Sequence, residues 1–365
     1  MDSGFSRRRL MQAAGAAALA PSTMMSAPAQ SWPVVEGPDT PKISLLSSVR
    51  DEAGIRRLKQ IGVDYVLMGG PRIPWQEEDL RGRIERLKAG GLTLYNMMIY
   101  GFNKAIYAKP GRDEEIDQVR QSIRAAGKAG LPVIEYNWYA HRAMEGYYEE
   151  TGRAGAGLTS FDYERMKGLP PLPEEGAHTL EEMWTNITYF LKAVAPVAEE
   201  AGVRLALHPN DPPAPLSRGS QQIMGTVGGW KHLIEIVSSP SNGITFDCGV
   251  TREMGEDPVE VCRYFASRKR INHVHYRNVR VPKPYEKYTE VFIDEGQVDM
   301  FGVMKELIRQ KYTGTIYPEH PRALDYDRER GPIRGYPGGG GYTGEVYNVG
   351  YARAMMQAAL GSLGR

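Results

Sequence analysis

Four residues of metal-binding type follow one another at the ends of short apolar stretches in the second half of the chain. They are His208, Asp247, His275 and Glu319. Each is about one strand and one helix away from the next, so successive strands can bring all four side chains to one place. Two imidazoles and two carboxylates suit a borderline divalent ion such as Mn²⁺, with Co²⁺, Fe²⁺ or Zn²⁺ as alternatives. The pattern predicts a divalent-metal site with four protein ligands.

Residue alternation within these stretches indicates which side chains point inward. Asp247 shares its face with Thr245, while the apolar Phe246 and Cys248 lie on the opposite face. A single histidine or carboxylate at such a place is most often a core residue, a helix cap or an ion pair. Recurrence at the same relative position on four consecutive strands favours a shared metal site over four separate structural roles.

The elements that would position these residues alternate regularly after residue 40. Apolar stretches typical of buried strands alternate with helical stretches whose apolar residues recur at i, i+3 and i+4. Eight strands are predicted over 42–48, 64–69, 92–99, 132–137, 204–209, 242–249, 271–278 and 314–320. Eight helices are predicted over 55–62, 80–91, 116–130, 183–202, 230–239, 258–268, 300–310 and 351–364. This count predicts an α/β fold of the (β/α)8 TIM-barrel type, with a doubly wound open sheet as the alternative.

Three long connections follow strands and therefore belong at the carboxyl-terminal mouth of such a barrel, where active sites lie. They are residues 138–178, residues 279–298 and the glycine-rich "GYPGGGGYTG" at 335–344. The glycine-rich segment lacks the spacing of a phosphate-binding loop. A lid over the mouth is the better interpretation.

Composition and the N-terminus limit the class of protein further. The 365 residues carry a formal net charge of +1, which gives no electrostatic basis for binding nucleic acid or an anionic membrane. Arg7, Arg8 and Arg9 precede a short alanine-rich run and an A-x-A-like site at Ala27 to Ala29. We therefore expect a twin-arginine-type signal peptide at 1–29, a single catalytic barrel at 30–365, and a periplasmic location. A disordered alanine-rich tail is the alternative.

Longer motifs in the same region resemble the mannonate dehydratase family. The helix and strand ending in "RLALHPNDPP" are similar to the family's run into H-P-D-D-P-P, and "NGITFDCG", "NHVHYRNVR" and "GQVDMFGVMKEL" continue the match. The resemblance covers roughly residues 40–360. It implies a metal-dependent barrel of the xylose isomerase-like type that dehydrates D-mannonate to 2-keto-3-deoxy-D-gluconate, usually with Mn²⁺.

Carried over residue by residue, the resemblance implies specific roles and two departures. His208 and His275 match the family's histidine ligands, but Asp247 stands where the family has a cysteine and Glu319 where it has an aspartate. His320 and Tyr342 are the candidates for proton transfer, with base and acid left unassigned. The candidates for substrate binding lie at the strand mouths, and they are Asn137, Asp211, Arg277 and Asn278.

The two replaced ligands keep other functions open. Aspartate and glutamate at these places are used by the wider isomerase and epimerase barrels, so a metal-dependent sugar isomerase or epimerase is the alternative enzyme. An exported sugar-binding protein without catalysis is a third hypothesis. In each case the partner is a small sugar or sugar acid, and a homodimer is expected because related barrels often dimerise.

Overall fold

A closed barrel of parallel strands forms the body of the protein. The computed structural model describes residues 36–46, 51–331, 333 and 336–364. Within this part of the chain the barrel strands are β1 (Lys42–Leu46), β2 (Tyr65–Gly69), β3 (Thr93–Ile99), β4 (Val133–Tyr136), β7 (Arg204–Leu207), β8 (Asn242–Asp247), β9 (Ile271–His275) and β12 (Thr315–Tyr317). Their order is β1-β12-β9-β8-β7-β4-β3-β2, and β1 pairs with β12 to close the ring. The predicted eight-stranded barrel is confirmed, and closure excludes the open doubly wound sheet.

Helices connect the strands and cover the outside of the barrel. The described helices are α1 (Glu52–Gln60), α2 (Glu77–Ala89), α3 (Asn103–Ile106), α4 (Arg112–Ala129), α5 (Leu180–Glu200), α6 (Val227–Ile236), α7 (Cys248–Glu253), α8 (Pro258–Ser267), α9 (Met300–Arg309), α10 (Asp325–Arg328) and α11 (Tyr342–Ser362). All eight predicted helices are present. The longer ones bury an apolar stripe against the strands, as the periodicity indicated.

A second, antiparallel sheet lies over the mouth of the barrel. It consists of β5 (Tyr147–Thr151), β6 (Gly157–Asp162), β10 (Val279–Lys283) and β11 (Lys287–Glu290), in the order β10-β11-β6-β5. The two connections predicted as long polar loops supply these strands, and β11 joins them by pairing with β6. Strand patterning did not reveal this sheet, because its residues are largely polar. It adds a wall of side chains on one side of the mouth.

The N-terminal prediction falls where the structure gives no description. The expected signal peptide at 1–29 lies outside the described residues. None of the helices formed by the described residues is long and apolar enough to cross a membrane.

Candidate metal centre and active site

The four predicted metal ligands come together at the mouth of the barrel. His208 follows β7, Asp247 ends β8, His275 ends β9 and Glu319 lies just beyond β12. His275 Nδ1 lies 3.1 Å from His208 Nε2, 2.9 Å from Glu319 Oε2 and 3.9 Å from Asp247 Oδ2. All four side chains are buried. Neighbouring parallel strands end at one edge of the ring, which is why residues so distant in sequence meet.

The donor set of these side chains suits a cation. His208 Nδ1 lies 2.7 Å from the carbonyl oxygen of Pro209, so this nitrogen carries the proton and Nε2 presents a lone pair to His275. Glu319 directs a carboxylate oxygen to the same atom of His275. Although burial opposes it, the carboxylates of Glu319 and Glu135 raise the pKa of His275 well above its usual value. Two imidazole nitrogens and two carboxylates grouped in this way are donors that suit a divalent cation.

Glu135 supports this centre from below. Its carboxylate is fully buried and accepts hydrogen bonds from Asn96 Nδ2 at 2.9 Å and from Thr245 Oγ1 at 2.8 Å. Its Oε1 also lies 3.3 Å from His275 Nε2, the nitrogen turned away from the other ligands. A carboxylate in this position orients a ligand imidazole and increases its basicity. The geometry gives Glu135 the part of a buried partner of His275.

Asp247 is held by two separate contacts. Its Oδ1 caps α7 by accepting from the Val250 amide at 2.8 Å, and its Oδ2 lies 3.1 Å from Arg277 Nε. Burial raises the pKa of Asp247 to about 7 despite the opposing effect of the Arg277 guanidinium. A bound cation would favour the ionised form of this carboxylate.

Arg277 connects the acidic side chains of the centre. Its Nε also donates to Glu319 Oε1 at 3.1 Å, and its Nη1 donates to Glu253 Oε1 at 2.6 Å. A Cβ at position 249 would lie 2.8 Å from Arg277 Cγ, so only glycine leaves room for this buried side chain. Arg277 does not line the main cavity. It therefore fixes the carboxylate ligands in place instead of facing a substrate.

A cavity of about 550 Å³ opens over the centre. The predicted residues on its wall are His208, Asp211, His275, Glu319, His320 and Asn137. Asn137 Oδ1 is buried and has no hydrogen-bond partner among the described residues, which leaves it available to a substrate hydroxyl. Asp211 accepts hydrogen bonds from two tyrosines, Tyr147 at 2.7 Å and Tyr288 at 3.3 Å. The antiparallel sheet supplies both tyrosines and so fixes the back of the cavity.

His320 is presented to the cavity in a strained backbone conformation. Its φ of 48° lies in the left-handed region, which a side chain other than glycine adopts only where its surroundings hold it. Its Nδ1 lies 2.8 Å from Glu290 Oε2, while Nε2 lies 3.5 Å from Glu319 Oε2. Burial lowers the pKa of His320, but the carboxylates of Glu290 and Glu319 raise it by more, so the pKa lies above its usual value. The pair of His320 and Glu290 has the form of a carboxylate-oriented acid or base.

Besides Asp247 and Arg277, two further predicted residues do not line the cavity. Tyr342 begins α11, is 36% exposed, and its hydroxyl donates to the Arg57 carbonyl at 3.0 Å on the outer side of the barrel. Asn278 is buried, but its amide is used up by backbone groups: it donates to the Ile293 carbonyl at 3.0 Å and accepts from the Val298 amide at 2.9 Å. Asn278 therefore stabilises the backbone of the connection at residues 279–298.

Tyr336 and Arg142 line the cavity, where the sequence pattern had led us to expect Tyr342 and Arg277. The Tyr336 ring centroid lies 4.6 Å from that of His320, and its hydroxyl is bonded to Arg142 Nη2. Arg142 lines the cavity with a guanidinium 3.7 Å from Asp211 Oδ2. Both residues belong to irregular parts of long connections, and Glu290 ends a strand of the antiparallel sheet, so neither periodicity nor spacing marks a functional side chain at these places. A second tyrosine in the glycine-rich segment was the only signal for Tyr336.

Comparisons with known proteins agree on one family. A model described as D-mannonate dehydratase (UxuA) matches residues 47–361. The mannonate dehydratase of Streptococcus pneumoniae is 31% identical over 277 residues, which cover 69% of this chain and 75% of that protein. The crystal structure of the Streptococcus suis mannonate dehydratase matches with a TM-score of 0.80 at 26% identity, covering 89% of this chain and 96% of that one. A structure of L-ribulose 3-epimerase matches with a TM-score of 0.56 at 15% identity over 89% of this chain and 97% of its own, which shows the barrel fold alone.

Proposed function

The chain belongs to the D-mannonate dehydratase family, as its motifs predicted, and we propose that it is a hydro-lyase that converts D-mannonate to 2-keto-3-deoxy-D-gluconate. The observation that carries the proposal is the position of His320. A histidine with a buried carboxylate partner faces the same cavity as three of the four proposed metal ligands and a tyrosine. These are the groups that removal of a proton and a hydroxyl from adjacent carbons requires.

We assign the metal to His208, Asp247, His275 and Glu319, and we propose Mn²⁺ as the ion. Nitrogen and carboxylate ligands without a thiolate favour Mn²⁺ over Zn²⁺, since Cys248 lies buried with its thiol directed to the Arg277 carbonyl. When bound, the ion stabilises the negative charge that develops on the substrate carboxylate as the C2 proton leaves. The other tasks fall to side chains of the chain itself.

His320 is the proposed base. Glu290 accepts the Nδ1 proton, which fixes the ring and leaves Nε2 toward the cavity. Nε2 takes the proton from C2 of the bound hexonate, and the electron pair of that C–H bond forms the C2–C3 double bond. The strained backbone at His320 is consistent with a ring that the surrounding structure holds at one angle.

Tyr336 is the proposed acid. Burial raises the pKa of its hydroxyl despite the nearby Arg142 guanidinium, so the hydroxyl keeps its proton at neutral pH. The hydroxyl donates this proton to the C3 oxygen as the C3–O bond breaks, and water leaves. The resulting enol takes a proton at C3 and becomes the 2-keto acid, so the reaction removes one molecule of water in total.

An acidic substrate also matches the charges on the cavity wall. Arg142 lines the cavity, and about one third of its side chain is exposed. Arg322, the other arginine of the cavity wall, is only 1% exposed and already donates to Glu290. A guanidinium facing a cavity binds a carboxylate well. This feature favours a sugar acid over the neutral sugars of isomerases and epimerases.

The function is tested by incubating the Mn²⁺-loaded protein with D-mannonate and measuring formation of the 2-keto acid. His208→Ala should abolish both metal retention and turnover. Ketose–aldose interconversion without 2-keto acid formation by the fully loaded protein would overturn the proposal in favour of an isomerase. Bound sugar acid without any turnover would support a binding protein.

Exchange of the C2 hydrogen with D₂O separates the two proton-transfer roles. We expect His320→Asn to lose exchange and product formation together. Tyr336→Phe should continue to exchange the C2 hydrogen while forming little product. If Tyr336→Phe instead loses exchange, the two assignments must be reversed.

The cellular location and the assembly state remain proposals. We propose that the chain is exported to the periplasm through the arginine-rich segment at 1–29, which the physical pattern of that segment supports. We propose a homodimer by analogy with related barrels. Sedimentation velocity tests the dimer, and a monomer across the micromolar range would exclude it.

A further inference from the structure

The cavity over the metal centre has a metal-binding side and an apolar side. The proposed metal ligands follow β7, β8, β9 and β12, whereas Leu46, Leu67 and Met68 of the cavity wall belong to β1 and β2. Glu345 also lines the cavity, from the first turn of α11, a helix that packs against β1.

Glu345 has no compensating charge among the described residues. No described side chain or amide donates a hydrogen bond to its carboxyl group, although the residue is partly buried. The charged group that affects the pKa of Glu345 is Asp327, which is also acidic. Its carboxylate already accepts hydrogen bonds from the Thr343 amide and hydroxyl. Burial, with a contribution from Asp327, raises the pKa of Glu345 to about 7. A partly buried carboxyl group without a partner costs stability.

The side of the cavity wall formed by β1 and β2 is apolar. It includes Leu46, Leu67 and Met68. These side chains offer nothing to the hydroxyl groups of a sugar acid. Glu345 is then the polar group that this side of the wall presents, and a carboxyl group can accept hydrogen bonds from two hydroxyls at once.

We propose that Glu345 binds the C5 and C6 hydroxyls of the hexonate and so selects a six-carbon chain. The inference rests on the proposed function, because that function places the substrate carboxylate near Arg142 and the metal ligands. The hydroxylated end of an extended chain then points away from the metal ligands, toward the side of the cavity formed by β1 and β2.

The test compares a long and a short substrate in matched variants. The variants are Glu345→Gln, Glu345→Leu and, as the control, Glu78→Gln, which removes an exposed glutamate of α2 that does not line the cavity. The long substrate is D-mannonate, assayed for kcat and KM with Mn²⁺. The short one is a four-carbon aldonate with the same configuration at C2 and C3, assayed as a competitive inhibitor. Melting temperatures check that each variant is folded.

We expect Glu345→Gln to raise KM for D-mannonate roughly tenfold, because a hydrogen bond to a charged group contributes about that much to affinity. The value of kcat and the inhibition constant of the four-carbon acid should stay close to those of the wild type. Glu345→Leu should raise KM further, and Glu78→Gln should change neither constant. A KM within about twofold of the wild type, or a parallel loss of affinity for both acids, would overturn the proposal.

Binding of D-mannonate, measured by calorimetry, keeps this inference separate from the proposed function. If the loaded wild type binds D-mannonate but forms no keto acid, the dehydratase proposal fails. Weaker binding to Glu345→Gln would then still support the role of Glu345. Equal binding to both proteins would exclude it.

Discussion

Glu135 offers a sharp test of the metal centre, because it touches a ligand without belonging to the ligand set. Its Oε1 lies 3.3 Å from His275 Nε2, and both side chains are buried. Replacing Glu135 with glutamine keeps the shape but removes the charge that makes the imidazole more basic. Loss of such a partner typically weakens metal binding about 10- to 100-fold. We expect this weakening of Mn²⁺ affinity in Glu135→Gln.

The same substitution also disturbs two hydrogen bonds, so stability must be measured beside affinity. Asn96 Nδ2 and Thr245 Oγ1 each donate to one carboxylate oxygen of Glu135, whereas a glutamine amide offers one oxygen and one NH₂ group. One bond must therefore be lost or reversed, at a cost of about 1 to 3 kcal/mol. A lower melting temperature alone would not demonstrate any action on the metal.

Glu306→Gln is the matched control. Glu306 is another buried glutamate, on α9 at the outside of the barrel, where it accepts hydrogen bonds from Arg309 and Gln310. It should lose comparable stability with no change in metal affinity. Titration of chelator-treated protein with Mn²⁺ in a calorimeter gives the dissociation constant of each variant. Equal constants for the wild type and Glu135→Gln would refute the proposed support of His275.

Three further predictions follow from the cavity and the N-terminus. Arg142→Gln should raise KM for D-mannonate roughly 10- to 100-fold, because it removes a charged hydrogen-bond donor, and an unchanged KM would exclude contact with the substrate carboxylate. Glu345 has a raised pKa of about 7, so the folded state holds its proton more tightly than the unfolded state does, and stability is lost as the pH rises from about 4.5 to 7. Glu345→Gln should therefore be more stable than the wild type at pH 8, by up to about 3 kcal/mol. At pH 5 the two proteins should be nearly equal in stability. Calorimetric scans that show the same difference at both pH values would contradict this. Replacing Arg7 and Arg8 with lysine should leave the chain in the cytoplasmic fraction of cells that export the wild type, whereas unchanged fractionation would argue against a twin-arginine signal.

Residue patterns alone predicted the barrel and the order of its strands. The eight apolar stretches and the helices between them are long and periodic enough to be recognised, because each must bury one face against the others. The same reasoning predicted that His208, Asp247, His275 and Glu319 meet, since parallel strands in a closed ring end at one rim. The structure groups His208, Asp247 and His275 closely enough to hold one ion, and Glu319 contacts His275.

The residues around the metal ligands depended on tertiary structure. Glu290 reaches His320 only because two distant connections pair as β6 and β11, and short polar strands of this kind leave no clear periodic signal. Arg277 looked like a substrate-binding residue at a strand end, but it lies buried among five carboxylates and anchors those of Asp247 and Glu319. Tyr336 and Tyr342 share one glycine-rich segment, and only the path of its backbone decides which ring meets the cavity. The sequence by itself determined the barrel and the strand ends at which the proposed metal ligands lie, because these follow from local periodicity. Which loop residues surround a substrate was decided by contacts between segments far apart in the chain, which no local pattern records.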